Sequence, residues 1–253
     1  VKRDFKFNNY KLKTIAEHFV GETKDPLSAK GIFKCYRIGI TKTVKGEFSN
    51  KAQRAMGIVG KYCVQDSALV CLLMDKLQTW VGLTEMANTC NVPIFTLYTQ
   101  GQQIKVYSQL YKYCMYENIV VEKDAYQVTE DERYVGAHVF PPVPGEYSSV
   151  VPFDFASLYP TTIIAYNIDY STLVIDEKFP DSLCNIIEWE EDGKYYKFRF
   201  RKEPKGVIPS LLQSLLEQRN STKKLLKQTK DTLLQSVLDK RQLAYKISAN
   251  SMY

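Results

Sequence analysis

Asp154 stands near the end of an alternating apolar run, Ser149 to Phe155, and just ahead of a helical pattern that Pro160 opens. A carboxylate at a strand end can hold a divalent cation through oxygen. The backbone N–H groups of Ser157 to Tyr159 precede the helix, where unpaired N–H groups and the helix dipole attract anions. A metal and a phosphate can therefore meet within a few residues. Farther along, Arg219, Lys223 and Lys227 recur every four residues and share one helix face. Lys246 and Asn250 do the same on the next helix. Two facing helices can turn Arg219, Lys223 and Lys246 toward one polyphosphate, the arginine as a planar fork and the lysines as point charges. Each feature also has a plainer reading. Asp154 can be a cap, Tyr159 a core residue, and the basic helices a solvated Lys-rich surface.

These residues need elements to position them. Helical spacing predicts helices over Tyr10 to Val20, Thr84 to Cys90 and Gln103 to Glu117. Gln53 to Trp80 reads as one or two helices, interrupted or bent near Gly57 and Gly60, with Tyr62, Asp66 and Leu69 on one face. Glu22 to Gly31 is a polar loop holding Pro26, and Ile119 to Val121 a short strand. Asp124 to Arg133 is an acidic linker, and Pro141 to Gly145 a rigid loop. Ser149 to Phe155 and Tyr195 to Arg201 alternate as strands. Pro160 suits a first helical turn, followed by Thr161 to Asn167. Ile208 to about Lys227 and Thr232 to Asn250 are amphipathic helices, and the short link Gln228 to Asp231 makes them antiparallel neighbours. Strands followed by a basic helical hairpin give an α+β class.

Bulk composition narrows the setting. The 253 residues allow one large domain or two ordinary ones, and 45% hydrophobic with 25% charged residues is ordinary for a packed chain. The net charge of +6 is unevenly spread. Arg201 to Tyr253 holds 11 Lys+Arg and 4 Asp+Glu, net +7, which leaves 23 basic and 24 acidic residues elsewhere, net −1. A local basic block attracts phosphates or nucleic acid. The six cysteines form no C-x-x-C pair, and with two histidines no zinc site is legible. They read as reduced and structural, in an intracellular protein. No signal peptide opens the chain and no 18 consecutive apolar residues occur, so the expectation is a soluble protein with no membrane partner. Val1 begins mid-pattern and Tyr253 ends directly after a helical pattern, so a piece of a longer protein is expected.

Taken together, the residues match a family. Asp154 to Pro160 reads D-F-A-S-L-Y-P and resembles motif A of the family B DNA polymerases. Lys246 to Tyr253 reads K-I-S-A-N-S-M-Y and is similar to their motif B, K-x-x-x-N-S-x-Y-G, ending one residue short of its glycine. The two stand in the family's order. Between them, Gly206 to Lys224 is similar to the start of the fingers helix, with Arg219 and Lys223 at matching positions. Tyr134-Val135-Gly136-Ala137 resembles the short motif that joins the exonuclease and polymerase modules. Tyr62-Cys63-Val64-Gln65-Asp66 looks like the third exonuclease motif, Y-x-x-x-D. The resemblance covers nearly the whole chain and is nearest the eukaryotic delta type, including its relatives in large DNA viruses, with the viral side preferred.

The resemblance implies a DNA-directed DNA polymerase that adds deoxynucleotides to a primer 3′ end by two-metal phosphoryl transfer, with 3′-5′ proofreading in the parent. Four segments are implied. Residues 1–82 would be the C-terminal part of an RNase H-like exonuclease domain, and 83–133 a helical connection. Residues 134–205 would be the N-terminal part of a palm with an antiparallel sheet, and 206–253 the helical-hairpin fingers. Asp154 would ligate both magnesium ions, and the Phe155 carbonyl would add a ligand. The backbone at Ser157 and Leu158 would hold the triphosphate. The Tyr159 ring would lie under the sugar and clash with a 2′-hydroxyl. Arg219, Lys223 and Lys246 would clamp the phosphates, and Asn250 and Tyr253 would line the nascent base pair. Asp66 would bind an exonuclease metal, Tyr62 would orient the attacking water, and Tyr134 and Gly136 would meet DNA. Primer–template DNA and deoxynucleoside triphosphates are the implied partners, and a sliding-clamp processivity factor is a further one. The implied setting is the nucleus or a cytoplasmic viral replication site.

The departures are specific. Motif C, with the second palm carboxylate, would follow Tyr253, and the first two exonuclease motifs would precede Val1. Each site is then represented by part of its ligands, and this chain alone is expected to be inactive. Two rival readings are a catalytically dead homologue serving as a replication scaffold and a helical-hairpin nucleic-acid-binding module. The intact Asp154, Tyr159, Lys246 and Asn250 argue against decay.

Overall fold

The computed structural model describes residues 5–42, 46–121, 139–191 and 193–253, and the chain divides into two compact units, Val1–Leu83 and Thr84–Tyr253. The first unit holds α1 (Leu12–Phe19), α2 (Ala29–Gly39) and α3 (Asn50–Lys76). Ile15 and Ala16 of α1 pack on Leu69 and Leu73 of α3, with Phe7, Leu12, Phe19 and Val20 around them. The side chains of Ser28 and Ser49 accept from the Gly31 and Ala52 N–H groups and so cap α2 and α3. α2 falls partly in the expected polar loop. α3 runs unbroken through Gly57 and Gly60, because at isolated positions each costs only about 1 kcal/mol against alanine. The chain has no unbroken apolar run of 18, yet by length and composition alone α3 is long and apolar enough to cross a membrane. Leu69 and Leu73 pack against α1, while Ile58, Val64, Val70 and Leu72 of the same helix are exposed.

The unit boundary falls within α4 (Thr79–Cys90), and α5 (Thr96–Thr99) and α6 (Gln102–Tyr116) follow. Next come α7 (Leu158–Tyr166), a 3-10 turn (Asp181–Leu183), strands β1 (Cys184–Glu191) and β2 (Lys194–Arg201), then α8 (Val207–Gln228) and α9 (Thr232–Asn250). The sheet is a two-stranded antiparallel hairpin with Cys184 opposite Arg201 and Glu191 opposite Lys194. An isolated bridge pairs Leu173 with Phe200. Arg199 and then Lys197 hold the Asp181 carboxyl below the usual carboxylate range, which ties the 3-10 turn to β2.

The strands expected at 119–121 and 149–155 do not form, and both stretches are irregular. Alternation marks a chain that suits a sheet, but a strand exists only when a neighbour accepts its hydrogen bonds. No partner is in place for either stretch among the described residues. The expected linker, 124–133, lies outside those residues.

The second unit is organised around the α8–α9 hairpin. One cluster joins Leu212, Leu215 and Ala249 to Ile163 and Ile164 of α7, Ile208, Tyr245 and Met252. A second joins Ala244 and Ile247 of α9 to Met86, Cys90, Val92 and Leu97. α9 therefore lies between two apolar contacts.

A buried polar knot fixes where α8 begins. Asn167, left-handed at φ 54°, donates to the Arg201 and Pro204 carbonyls at 2.8 and 3.0 Å and accepts from the Gly206 N–H at 2.9 Å. The Asp169 carboxylate accepts from the Val207 and Ile208 N–H groups at 3.3 and 3.2 Å and from the Ser171 hydroxyl. Both N–H groups are first-turn donors of α8 without intrahelical partners, so Asp169 does the capping that Gly206 cannot.

Candidate active site

Asp154 lies in irregular chain, three residues before a sharp turn, and not at the end of a formed strand. The turn is made by Ser157, left-handed at φ 57° and ψ 59°, a conformation uncommon for a non-glycine residue. Ser157 supplies no side-chain cap to α7. Its carbonyl accepts from the Thr161 N–H at 3.0 Å and from the Thr161 hydroxyl at 2.9 Å. The first-turn N–H groups of Leu158 and Tyr159 consequently have no intrahelical acceptor and are available to an anion. Pro160, fully buried, occupies the next position, where its missing N–H costs nothing.

The Tyr159 ring stacks on that of Tyr253, with centroids 4.4 Å apart and planes inclined by 15°. The rings are 55% and 54% exposed, so Tyr159 is not the core residue of the plainer reading. Both rings can be met by a ligand. The stack joins the D-F-A-S-L-Y-P turn to the end of α9. Ile163 and Ile164 do the same lower down, packing α7 against both long helices. On α9, Lys246 and Asn250 are exposed and make no hydrogen bond or ion pair among the described residues. On α8, Lys223 is likewise exposed and unpaired, while Arg219 is half-buried and donates from Nε to Gln242 Oε1 at 3.4 Å.

Asp154 is exposed, and its carboxylate makes no hydrogen bond or ion pair among the described residues. Those residues contain no group of three or more His, Cys, Asp or Glu able to hold a metal. A free hard oxygen donor fits a divalent cation, and here it is a single ligand rather than a closed cage. The six cysteines are unpaired; Cys90, Cys114 and Cys184 are buried, whereas Cys63 and Cys71 are exposed.

In the first unit, Tyr62 and Asp66 share one face of α3, as their spacing predicts. The structure adds Lys24, whose Nζ sits 2.6 Å from Asp66 Oδ2 and 4.7 Å from the Tyr62 ring centroid. The hydrogen bond to Asp66, then that to Tyr62, raises the Lys24 pKa. The other carboxylate oxygen, Asp66 Oδ1, is buried without a hydrogen-bond partner. An orphaned anionic oxygen of this kind fits a cation. No spacing in the sequence could have found Lys24, which reaches this face from the loop before α2. Tyr134 and Gly136 lie outside the described residues.

Sequence reasoning also missed a set of groups behind α9. Arg241 donates from Nε and Nη2 to the two oxygens of Glu85 at 2.7 and 3.1 Å. Ser248 donates to Gln109 Oε1 at 2.8 Å. Glu85, Gln109 and Ser248 are all buried. The available signal was Glu85 itself, a carboxylate on the apolar face of α4, since such a residue is almost never buried unpaired.

Residues 92–253 match the model of DNA polymerase family B. "DNA polymerase 120R" of Invertebrate iridescent virus 3 is 46% identical across the whole chain, which spans 28% of that relative. "DNA polymerase delta catalytic subunit" of Plasmodium falciparum (isolate K1 / Thailand) is 35% identical across the whole chain, which spans 22% of it. The solved family B DNA polymerase from the hyperthermophilic archaeon Pyrobaculum calidifontis superposes with a TM-score of 0.68 at 25% identity, over 96% of this chain and 30% of that one. The chain thus spans less than a third of the length of each. With a model match over more than half its residues and the α7, α8 and α9 geometry described above, the chain belongs to DNA polymerase family B.

Proposed function

We propose that the chain supplies one corner of the nucleotide-insertion site of a DNA-directed DNA polymerase, with primer–template DNA and deoxynucleoside triphosphates as its partners. The stack of Tyr159 on Tyr253 carries the reading, because it joins an uncapped helix start to a helix end bearing a free lysine and a free asparagine. In this reading Asp154 and the Phe155 carbonyl hold divalent magnesium. The ions, when bound, stabilise charge on the attacking 3′-oxygen and the leaving pyrophosphate.

The chain's own groups do the positioning. The Ser157 and Leu158 backbone receives the triphosphate, and Arg219, Lys223 and Lys246 neutralise it, since phosphoryl transfer is mostly placement and charge stabilisation. Tyr159 lies under the sugar, while Asn250 and Tyr253 border the base pair. Residues 134–205 form part of the palm and 206–253 the fingers. Residues 83–133 connect them to 1–82, the end of a 3′-5′ exonuclease domain in which Tyr62 and Asp66 serve hydrolysis. The enzyme acts in the nucleus or at a viral replication site, and a sliding clamp is a further partner.

The test is Asp154→Asn in a polymerase containing this segment. Primer extension should be lost while primer–template affinity stays within about twofold, since surface changes away from a contact are worth roughly ±0.5 kcal/mol. Near-normal extension would refute the metal-ligand role.

A further inference from the structure

Helical geometry sets what the groups behind α9 control. At 3.6 residues per turn, Ser248 points within about 20° of Arg241, whereas Lys246 and Asn250 point about 140° and 180° away. The anchored face of α9 is therefore the back of the face that carries the candidate nucleotide-binding groups. Arg241 is gripped through both oxygens of Glu85, a bidentate geometry that fixes rotation as well as distance. Two turns on, Ser248 is held by Gln109, whose own amide nitrogen donates to the Lys105 carbonyl at 2.9 Å. Gln109 thus has both ends committed and cannot flip without losing both bonds. Between the polar grips, Met86 and Cys90 pack on Ala244. Among the described residues, none of these groups shares a hydrogen bond or ring contact with Tyr159 or Tyr253.

We propose that Glu85 and Gln109 are positioning residues for nucleotide insertion: by gripping Arg241 and Ser248 they set the rotation of α9, and with it the direction of Lys246 and Asn250. The proposal rests on the polymerase reading above. A residue that only stabilised the fold would lower the amount of active enzyme, which lowers kcat and leaves the KM for nucleotide untouched. A residue that aims Lys246 and Asn250 changes how nucleotide is met, which raises KM.

The experiment measures single-nucleotide incorporation by a polymerase containing this segment, with Glu85→Ala, Arg241→Ala, the double variant, Arg241→Lys and Ser248→Ala. Misplacing a positioned group by about 1 Å costs about 10²-fold, so a KM for deoxynucleotide raised roughly ten- to hundredfold is expected for Glu85→Ala and Arg241→Ala. Primer–template affinity should hold. The double variant should be no worse than the worse single, because one interaction is lost only once. Arg241→Lys, which keeps the charge and loses the fork, should fall between. A lowered kcat with unchanged KM overturns the proposal, and so do effects that multiply in the double variant. If Glu85→Ala does not fold, Arg241→Lys and Ser248→Ala decide the matter, and an unchanged KM in both overturns it. An unmodified protein that fails to extend primers would instead sink the polymerase reading, before any variant is made.

Discussion

At the scale of the residue, the stacked tyrosines are the most informative contact. Two rings 4.4 Å apart and inclined by 15° are held by each other more than by the core, since each is about half exposed. An aromatic pair of this kind contributes about 0.5–1.5 kcal/mol beyond area burial. Tyr159→Ala should therefore cost little stability and act on sugar choice. Ribonucleotide incorporation should rise roughly tenfold or more, because each 1.4 kcal/mol of lost steric exclusion is about a factor of ten. Competition between a ribonucleotide and its deoxy counterpart measures it, and unchanged selection would remove Tyr159 from that role. Tyr159, Lys246 and Asn250 stand out in the sequence because they fall in two short motifs, D-F-A-S-L-Y-P and K-I-S-A-N-S-M-Y. Glu85, Gln109 and Lys24 were not, because each acts across a distance in sequence that no local pattern encodes.

At the scale of the element, the start of α8 is closely packed and held by buried hydrogen bonds. A Cβ added to Gly206 would lie 2.6 Å from the Asp169 Cβ, inside the buried knot, and 3.1 Å from the Cγ2 of Thr172, a buried residue whose hydroxyl donates to the Asn167 carbonyl. Neither atom is the far end of a flexible chain. Gly206→Ala should therefore cost about 1–3 kcal/mol, as overpacking does. Thermal unfolding reads it, and an unchanged melting temperature would show that the joint relaxes freely. The long helices around this joint were plain in the sequence, and α9 has the bounds its periodicity predicts. β1 was missed because Glu188, Glu190 and Glu191 look like a solvated acidic run, whereas Trp189 stacks on Tyr196 and Phe198 across the hairpin. α2 was missed because the polar stretch around Pro26 reads as a loop that runs on into its first turn. The expected strand at 149–155 failed for a different reason, since pairing is a property of two segments and alternation reports only one.

At the scale of the whole molecule, each unit has its own core, Ile15, Ala16, Leu69 and Leu73 in the first and the α7–α8–α9 and α4–α9 clusters in the second. Leu69 is completely buried. Leu69→Ala should destabilise the first unit by about 2–5 kcal/mol through lost transfer energy and the cavity left behind. Hydrogen exchange should accelerate in α1 and α3 and stay unchanged in α8 and α9. Equal acceleration in all four would show that the units unfold as one. Charge is divided as unevenly as packing, with all of the excess positive charge in Arg201 to Tyr253, where the α8–α9 hairpin lies.

The grip of Glu85 on Arg241 joins residues 156 apart in the chain. A ribosome adding about 5–20 residues per second makes α4 roughly 8–30 s before it makes Arg241. Through that interval the carboxylate that will be buried must stay in water, so α4 cannot settle into its final place when it is first made. A helix made later is thus the one that lets an earlier helix finish folding.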